Sequence, residues 1–485
     1  MKKKGVRMRP FVKLASCLAV AAVGAIAISA QTRSASGPAI FEGARLIVGD
    51  GTVIEKGAFV VEKSRITALG RMGEVATPAG AARVDLNGKT VMPAMLNVHT
   101  HPGYEGSAAN RYADWATENW TPENLASQLQ REAFYGVAAV LSAGTDETER
   151  ALRFEQDQKA GKYPGVARYV HAAGMELPNG GPDALLIRAT RQLNALYKAG
   201  TPQEARAAVQ KIAARGIKHV KVWMDRRDGA YPAPTPESLQ TYYAVYDEAK
   251  KHQLTVQTHA RTLADQKAAV RGGTDVLVHY IPDAVDDELL ALLKEKRPYW
   301  TPVGGVGVEP PEYCEDPFVT QGMRRSNIGA VNDAVTGKPA DTGCDPIPAV
   351  AANEPKFAET FHKMVGAGAR LVLGTDSGTG RFMYGWAEHY NLARYVHAGL
   401  SPMDAIQAAT QRPAELLGMT DAGTLAAGKR ADFVVLNVNP LDDINNTRRI
   451  YRVYMDGTML NRNSLIAQWN KLIRAARDRR GGGDD

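Results

Sequence analysis

The feature that most constrains the fold is an alternation of short apolar runs with longer amphipathic stretches between residues 91 and 400. Eight runs have the length and composition of buried strands, and helical patterns separate most of them. These runs are 91–99, 136–145, 166–174, 216–225, 254–260, 275–281, 298–304 and 370–376. Eight strand–helix repeats over roughly 310 residues predict an α/β fold whose parallel sheet closes as a (β/α)8 barrel of the TIM type.

The two ends of the chain have a different texture. Residues 36–90 and 418–462 contain short alternating segments with turn signals, which are typical of strands and hairpins. We expect them to meet in one small composite β-sandwich domain beside a barrel over 91–417. The irregular stretch 305–353 would then be an insert or lid after the seventh strand, and 463–485 a C-terminal helix and tail.

Residues 1–30 have the layout of a secretory signal peptide. Six basic residues and no acid precede an apolar stretch that is too short to cross a bilayer comfortably. We therefore expect a periplasmic or secreted protein with no membrane span after cleavage. The formal net charge is +7, and the leader supplies six of these charges, which leaves about +1 and gives no basis for nucleic-acid binding.

Two of the three cysteines, Cys314 and Cys344, follow the leader and lie in the same polar, Pro- and Gly-rich insert. Because export implies an oxidising compartment, a disulfide between them is the favoured interpretation. Two unrelated thiols are the alternative.

Two histidines one residue apart, His99 and His101, end the first predicted strand. A two-residue spacing places both side chains on one face of a strand, and functional side chains of such barrels stand at the carboxyl ends of strands. Four further groups that bind a metal, or can be made to, occupy other strand ends: Lys221, His259, His279 and Asp376. Their convergence at one rim predicts a metal site.

Several segments resemble the amidohydrolase superfamily, in its imidazolonepropionase-like and zinc prolidase-like branch of metal-dependent hydrolases. The resemblance covers nearly all of the chain after the leader. It rests on VMPAMLNVHTH, IKHVKVW, VQTHA, VLVHY, LGTDSG, AGLSPMDAIQAATQRPAELLG and GTLAAGKRADFVVLNVNPLDDI.

The resemblance implies a pair of divalent metal ions. His99, His101 and Asp376 would hold the more buried ion, and His259 and His279 would hold the second. Imidazole and carboxylate ligands suit zinc, although manganese, iron or cobalt could substitute.

The resemblance also implies that Lys221 bridges both ions as N6-carboxylysine, a carbamate formed with CO2. An unmodified lysine is protonated near neutral pH and is therefore a poor ligand. Lys218 lies on the same strand but has the opposite side-chain parity, so we prefer Lys221. An uncarboxylated Lys221 beside a single metal ion is the alternative.

The chemistry that the resemblance implies is hydrolysis of an amide bond. Two divalent cations lower the pKa of a shared water. Asp376 would accept its proton and pass it to the leaving nitrogen, as general base and then general acid. A small molecule is the expected substrate, and nothing in the sequence decides between a monomer and a homo-oligomer.

The chain departs from the family pattern in three places. The usual Gly and Asp before the histidine pair are Ala94 and Asn97, and a Gly-Gly-His-Gly segment after the third strand is missing. Arg261 replaces an aromatic residue after His259. These positions bear on how substrate is held, so they leave the reaction in place but the substrate open.

Four residues are candidates for substrate binding. Arg261 could clamp a carboxylate with two hydrogen bonds, or it could be a loop arginine paired to an acid. Tyr104 and Tyr280 could donate to a carbonyl oxygen, or they could pack in the wall. His171 could enter the cavity, although a core histidine is the more common outcome for such a residue.

The favoured substrates are dipeptide-like or N-acyl amino acid compounds, because Arg261 offers a carboxylate anchor. Hydrolysis of a lactone, of a cyclic amide such as imidazolonepropionate, or of a phosphotriester could use the same site. A deaminase is less favoured, since the mononuclear deaminases of this superfamily do without the bridging lysine and HYIPD lacks their usual His-X-X-Glu. A barrel that binds without turnover is the rival from another class, but it would be expected to lose metal ligands.

Overall fold

The computed structural model describes residues 37–103, 120–182, 194–224, 233–303, 354–378 and 384–469. The predicted leader, the 305–353 insert with Cys314 and Cys344, Tyr104 and most of the C-terminal tail lie outside these ranges. Within them, no helix has both the length and the apolar character needed to cross a membrane.

The strands of the described residues belong to two sheets and are labelled β1 to β17 in chain order. They are Ala39–Ile47, Val53–Glu62, Arg65–Arg71, Ala82–Asp85, Thr90–Pro93, Met95–Thr100, Val137–Ser142, Arg168–Glu176, Leu196–Lys198, His219–Met224, Thr255–Ala260, Val276–Val278, Tyr299–Thr301, Arg370–Leu371, Phe433–Leu436, Ile450–Met455 and Thr458–Met459.

The α-helices of the described residues with defined bounds are labelled α1 to α10. They are Pro122–Phe134, Thr148–Lys159, Pro202–Ala214, Pro236–Lys251, Leu263–Gly272, Asp287–Lys296, Glu354–Gly366, Trp386–His397, Pro402–Ala409 and Gln411–Leu416. A further helical stretch covers 462–469, and a 3-10 helix covers Ile444–Arg448.

A hydroxyl residue followed by proline starts four of these helices. At α1, α3, α4 and α9 the hydroxyl of Thr121, Thr201, Thr235 or Ser401 accepts a hydrogen bond from a backbone N–H of the first turn. Proline suits the next position because its missing N–H would have no partner there. The sequence thus marks where these helices begin.

The larger sheet is parallel and curls around itself. Its strand order is β14-β13-β12-β11-β10-β8-β7-β6, with β9 beside β8. The segment after β14 reaches β6 at the other end of this order, where Val98 N donates to Leu373 O at 2.8 Å and His101 N donates to Ser377 O at 2.8 Å. The observed architecture is therefore α/β with a curled parallel sheet, and the ends of β6 and β14 share one rim.

Alternate residues of these strands pack into two different cores. Val140 and Ala173 belong to the cluster that packs against the helices. Their neighbours Leu141 and Ala172 belong to a second cluster, which draws on the strands and on residues 414–422. The period of two in each strand thus separates a helix-facing side from an inward side.

The smaller sheet joins the two ends of the chain. Its order is β17-β16-β15-β5-β1-β2-β3, with β4 beside β1, and β15 pairs antiparallel with β5. Its core contains Phe41, Phe59, Phe433 and Tyr454, whose rings stack or meet edge to face at centroid distances of 4.5 to 5.3 Å. These aromatic contacts link residues about 400 positions apart. That this sheet forms a sandwich stays a prediction.

The first predicted strand, 91–99, is divided between the two sheets. Residues Thr90–Pro93 form β5 of the smaller sheet, and the parallel sheet begins at Met95. Ala94 is the crossing point, and its N–H donates to Asp432 O at 3.0 Å. The continuous apolar run could not reveal this break because both parts are fully buried.

Replacing Phe433 with alanine should lower the free energy of unfolding by about 3–5 kcal/mol, because the ring is fully buried among three aromatic rings. Chemical denaturation of the mature protein measures the change. Val438→Ala is the control, since this side chain is exposed and its loss should cost less than about 0.5 kcal/mol. Equal, small effects of both substitutions would contradict the packing described.

Candidate metal centre

Five of the six predicted ligands come from four strand ends of the parallel sheet. His99 and His101 end β6, His259 lies near the end of β11, and His279 directly follows β12. Asp376 lies on the segment after β14 that pairs with β6. All four imidazoles are buried, and the Asp376 side chain is 16% exposed.

The side chains of these strand ends meet. Nε2 of His99 lies 3.3 Å, and Nε2 of His101 lies 3.0 Å, from the same Oδ1 of Asp376. The candidate ligand atoms of His99, His279 and Asp376 all lie within 4.8 Å of one another. Nε2 of His279 is 2.8 Å from Nδ1 of His259. The structure therefore brings five predicted ligands into one group.

Lys221 extends from β10 toward the same group. It is buried at 1% exposure, and its Nζ lies 5.6 Å from the centroid of the Trp223 ring on the same face of the strand. Burial lowers the pKa of His99 to about 3, and the positive charge of Lys221 adds to this effect. Burial and then His259 lower the pKa of His279, with a further contribution from Lys221.

The outer nitrogens of three imidazoles are held in place. Nδ1 of His279 lies 2.8 Å from the carbonyl oxygen of Val303, and Nδ1 of His101 lies 3.1 Å from Oγ1 of Thr145. Nδ1 of His99 lies 3.4 Å from Oε1 of Gln257. Metal-binding histidines usually have such a partner, which fixes the ring and its tautomer.

These partners decide where the lone pairs point. The amide nitrogen of Gln257 donates to Val98 O at 3.0 Å, so Oε1 is left to accept from Nδ1 of His99. A carbonyl oxygen can only accept, so Nδ1 of His279 also carries its proton. Because burial keeps both rings neutral, Nε2 of His99 and Nε2 of His279 present lone pairs to the centre.

The donor set fits a divalent cation. Burial alone would raise the pKa of Asp376, but contacts with His101 and His99 outweigh it and hold this pKa well below its usual value. Nε2 of His99 and Oδ1 of Asp376 lie 3.3 Å apart, close enough for one cation to bind both atoms. Imidazole nitrogen and carboxylate oxygen are the ligands that zinc and its neighbours bind in proteins.

Two of the ligand candidates have an unusual backbone. Asp376 has φ of +64° and His279 has φ of +85°. Residues other than glycine seldom adopt such angles, which cost on the order of 1–3 kcal/mol and cluster at functional sites. The strain at two of the converging strand ends indicates that the position of these side chains matters more than local stability.

Two of the candidate substrate contacts lie in positions that agree with the packing alternative given for each. Tyr280 belongs to the helix-facing core, with its ring centroid 5.4 Å from that of Phe357 on α7. His171 has the parity of Ala173 in that same core, whereas the inward position on this strand is Ala172. Both side chains therefore belong to the helix-facing side of the sheet, and a role for either in substrate binding stays a prediction.

Arg261 is placed as its sequence position suggests. It follows β11, two residues after His259, and is partly exposed. Its Nη1 atom is buried without a hydrogen-bond partner among the described residues.

His219 is on β10, where it lies deeper on the same strand face as Lys221. Burial lowers the pKa of His219 to about 4.

Asn97 does not share the face of His99, although a strict alternation along the strand would place it there. The pairing of β6 with β7 shifts register between Asn97 and Thr100, so the strict period of two fails there. The Asn97 amide contacts Glu388 on α8, whereas His99 points to Gln257 and Asp376. The sequence analysis did not identify Gln257 as the partner of His99, although its two-residue spacing from His259 could have indicated that it shares the face of that ligand.

Comparisons with known proteins agree with this geometry. The sequence model described as the amidohydrolase family matches residues 340–460. An imidazolonepropionase from Deinococcus radiodurans is 25% identical over 446 residues, which are 85% of this chain and 94% of that protein. An ochratoxinase from Aspergillus niger is 23% identical and covers 86% of this chain and 84% of its own.

Solved structures share the fold. A Xaa-Pro dipeptidase, solved with methionine bound in its active site, superposes with a TM-score of 0.65 at 21% identity, covering 87% of this chain and 99% of its own. The family match, the sequence relatives and the converging ligand group agree. The chain is thus similar to amidohydrolases in sequence and in fold, and these similarities support a hydrolase that acts on carbon–nitrogen bonds.

Proposed function

We propose that the protein is an exported, binuclear metal-dependent amidohydrolase that cleaves the amide bond of a dipeptide-like or N-acyl amino acid substrate. The observation that carries the proposal is the meeting of His99, His101 and His279 with Asp376 at one rim of the parallel sheet. In this proposal the sheet is a complete (β/α)8 barrel, and the leader-like segment 1–30 directs export.

The chain's own residues would divide between two metal ions. His99, His101 and Asp376 would hold one ion, and His259 and His279 the other. Divalent cations, when bound, polarise a substrate carbonyl and lower the pKa of a water. The carbonyl of Val303 supports this arrangement by keeping Nδ1 of His279 protonated and Nε2 available.

Asp376 is the proton carrier in this mechanism. Its Oδ1 lies within 3.3 Å of two imidazole nitrogens, and its pKa is held low, so it starts as a carboxylate despite its burial. It accepts a proton from the attacking water as the new C–O bond forms. It then gives that proton to the nitrogen as the C–N bond breaks, which releases an amine and a carboxylic acid.

Two glycines leave room for Lys221 at the centre. A Cβ atom on Gly144 would lie 2.6 Å from Cβ of Lys221, and one on Gly174 would lie 2.1 Å from the carbonyl oxygen of Gly144. Gly144 also has φ of +80°, which side chains rarely tolerate. Crowding by backbone and side chain thus supports a fixed, inward Lys221, as bridging by its carbamate would require.

Arg261 supports a substrate with a free carboxylate. Its Nη1 is buried and has no partner among the described residues, and a bound carboxylate would supply one. The names Xaa-Pro dipeptidase and prolidase among the structural neighbours are consistent with a dipeptide-like substrate. A cyclic amide is the second candidate, since a sequence relative that spans 85% of this chain is an imidazolonepropionase.

Removing metal should abolish hydrolysis, because the ligand group presents lone pairs that need a cation. Chelation followed by zinc, manganese or cobalt should restore amide hydrolysis. It should also raise the free energy of unfolding by about 2.7 kcal/mol at a metal concentration one hundred times Kd. Metal analysis, denaturation and a panel of dipeptides, N-acyl amino acids, lactones and phosphotriesters measure these effects. Unchanged stability and activity in the chelated protein would contradict the proposal.

Replacing Gly144 with alanine should displace Lys221 and lower the number of bound metal ions from two toward one, with loss of activity. Gly161→Ala is the matched control, because Gly161 has the same φ of +80° but open space around its Cβ position. Metal content per chain is the direct readout. Two tightly bound ions in the Gly144→Ala protein would count against a bridging role of Lys221.

Replacing Arg261 with alanine should raise KM for substrates with a free carboxylate, because the anchor is lost, and leave KM for their methyl esters nearly unchanged. A bidentate charged contact contributes about 1.5–3 kcal/mol, which corresponds to roughly a 10- to 150-fold change in KM. Arg261→Lys keeps the positive charge but loses the two parallel N–H donors of the guanidinium, so its KM for acid substrates should lie between those of the wild type and Arg261→Ala. Equal losses for acid and ester would exclude the anchor.

A further inference from the structure

A second buried polar group lies behind Asp376. Thr375 and Ser377 flank Asp376 in the chain, and Asn97 comes from β6. Glu132 on α1 and Glu388 on α8 complete the group. All five residues are at most 1% exposed, and none of them has a role in the proposed chemistry.

Asn97 connects this group to the metal centre. Its amide nitrogen donates to Oγ1 of Thr375 at 2.6 Å and to Oε1 of Glu388 in a short contact. Its Oδ1 accepts from the backbone N–H of His99 at 2.9 Å. Only a side chain with both a donor and an acceptor can make these three contacts.

The two hydroxyls on either side of Asp376 face Glu388. Oγ1 of Thr375 lies 3.2 Å, and Oγ of Ser377 lies 3.3 Å, from Oε1 of Glu388. The hydroxyls are 2.7 Å apart, and the N–H of Ser377 donates to Oγ1 of Thr375 at 3.2 Å. These contacts hold the backbone on both sides of Asp376, whose φ is +64°.

Glu132 and Glu388 meet at the hydroxyl of Ser377, which contacts Oε1 of both side chains. Oγ of Ser377 also lies 3.4 Å from Oε1 of Glu132, and Oε2 of each glutamate has no partner among the described residues. Two buried anions in contact would repel strongly, and a shared proton removes one of the charges. Consistently, burial and then the charge of Glu388 raise the pKa of Glu132 well above its usual value.

We propose that Glu132 and Glu388 share one proton, so that the pair carries a single negative charge, and that Asn97, Thr375 and Ser377 use this charge to hold Asp376 in its left-handed conformation. The pair acts as a positioning device and does not touch substrate. The catalytic part of the inference rests on the proposed role of Asp376.

The inference explains a departure from the family pattern. The residue at position 97 is asparagine where the resemblance leads to an expectation of aspartate. An aspartate there would lose the donor to Glu388 and add a second negative charge beside it. Asn97 and Glu388 are therefore matched to each other across 291 positions of the chain.

The first test is a rescue. Asn97→Asp should lower kcat by about 10²-fold with little change in KM, because Asp376 is misplaced while substrate contacts remain. Adding Glu388→Gln restores a hydrogen-bond donor between positions 97 and 388 and removes the extra negative charge that Asn97→Asp adds. N97D/E388Q should therefore recover most of kcat. N97D/E132Q is the matched control, since Glu132 does not contact Asn97, and it should stay as impaired as N97D. Metal content and thermal unfolding are measured on each protein.

The rescue has two outcomes that overturn the inference. The first is equal recovery with E388Q and E132Q, which would show that direct pairing of Asn97 with Glu388 is irrelevant. The second is wild-type kcat in N97D. Thermal unfolding can be measured on the same proteins without any substrate. The unfolding temperature of N97D should be lower than that of N97D/E388Q, and this order can be tested even if the proposed amide substrates are not hydrolysed.

The second test does not need N97D to fold. The infrared spectrum of the wild-type protein at neutral pH should contain the carbonyl band of a protonated carboxyl group, and Glu132→Gln should remove it. Glu359→Gln, at an exposed glutamate of α7, should leave the band in place. Absence of the band, or an additional cation per chain that is lost in Glu132→Gln, would overturn proton sharing.

Discussion

The structure depends on a concentration of electron-pair donors in a buried place. Three imidazoles and a carboxylate meet at the rim of the parallel sheet, with the Nε2 atoms of His99 and His101 both within 3.3 Å of one oxygen of Asp376. A divalent cation bound among these donors would satisfy their lone pairs. Such an ion would link the fold to hydrolytic chemistry.

The surrounding shell is built to keep these donors in place. Gln257, Thr145 and the carbonyl of Val303 each hold the outer nitrogen of one ring. Asp376 is supported differently, by backbone pairing with β6 and by the hydroxyls of its two neighbours. His99, His101, His279 and Asp376 are therefore each fixed by a contact farther out, which is how a site keeps its geometry before substrate arrives.

The sequence predicted the strand ends well because parallel strands bring their carboxyl ends to one edge, and histidines and an aspartate stand at those ends. It failed where the strict period of two failed. The register shift in β6 turned Asn97 toward α8. The division of 91–99 between two sheets was equally hidden, since burial on every side leaves no polar residue to mark it. The contact of Asn97 with Glu388 spans most of the chain, and no local pattern encodes it.

The most direct measurement is a crystal structure of the mature protein with anomalous difference maps recorded at the absorption edge of zinc after zinc loading. The account predicts two peaks, one between His99, His101 and Asp376 and one between His259 and His279, with density from a carboxylated Lys221 joining them. A map without peaks at these side chains, or with the Lys221 amine directed toward the helices, would contradict it.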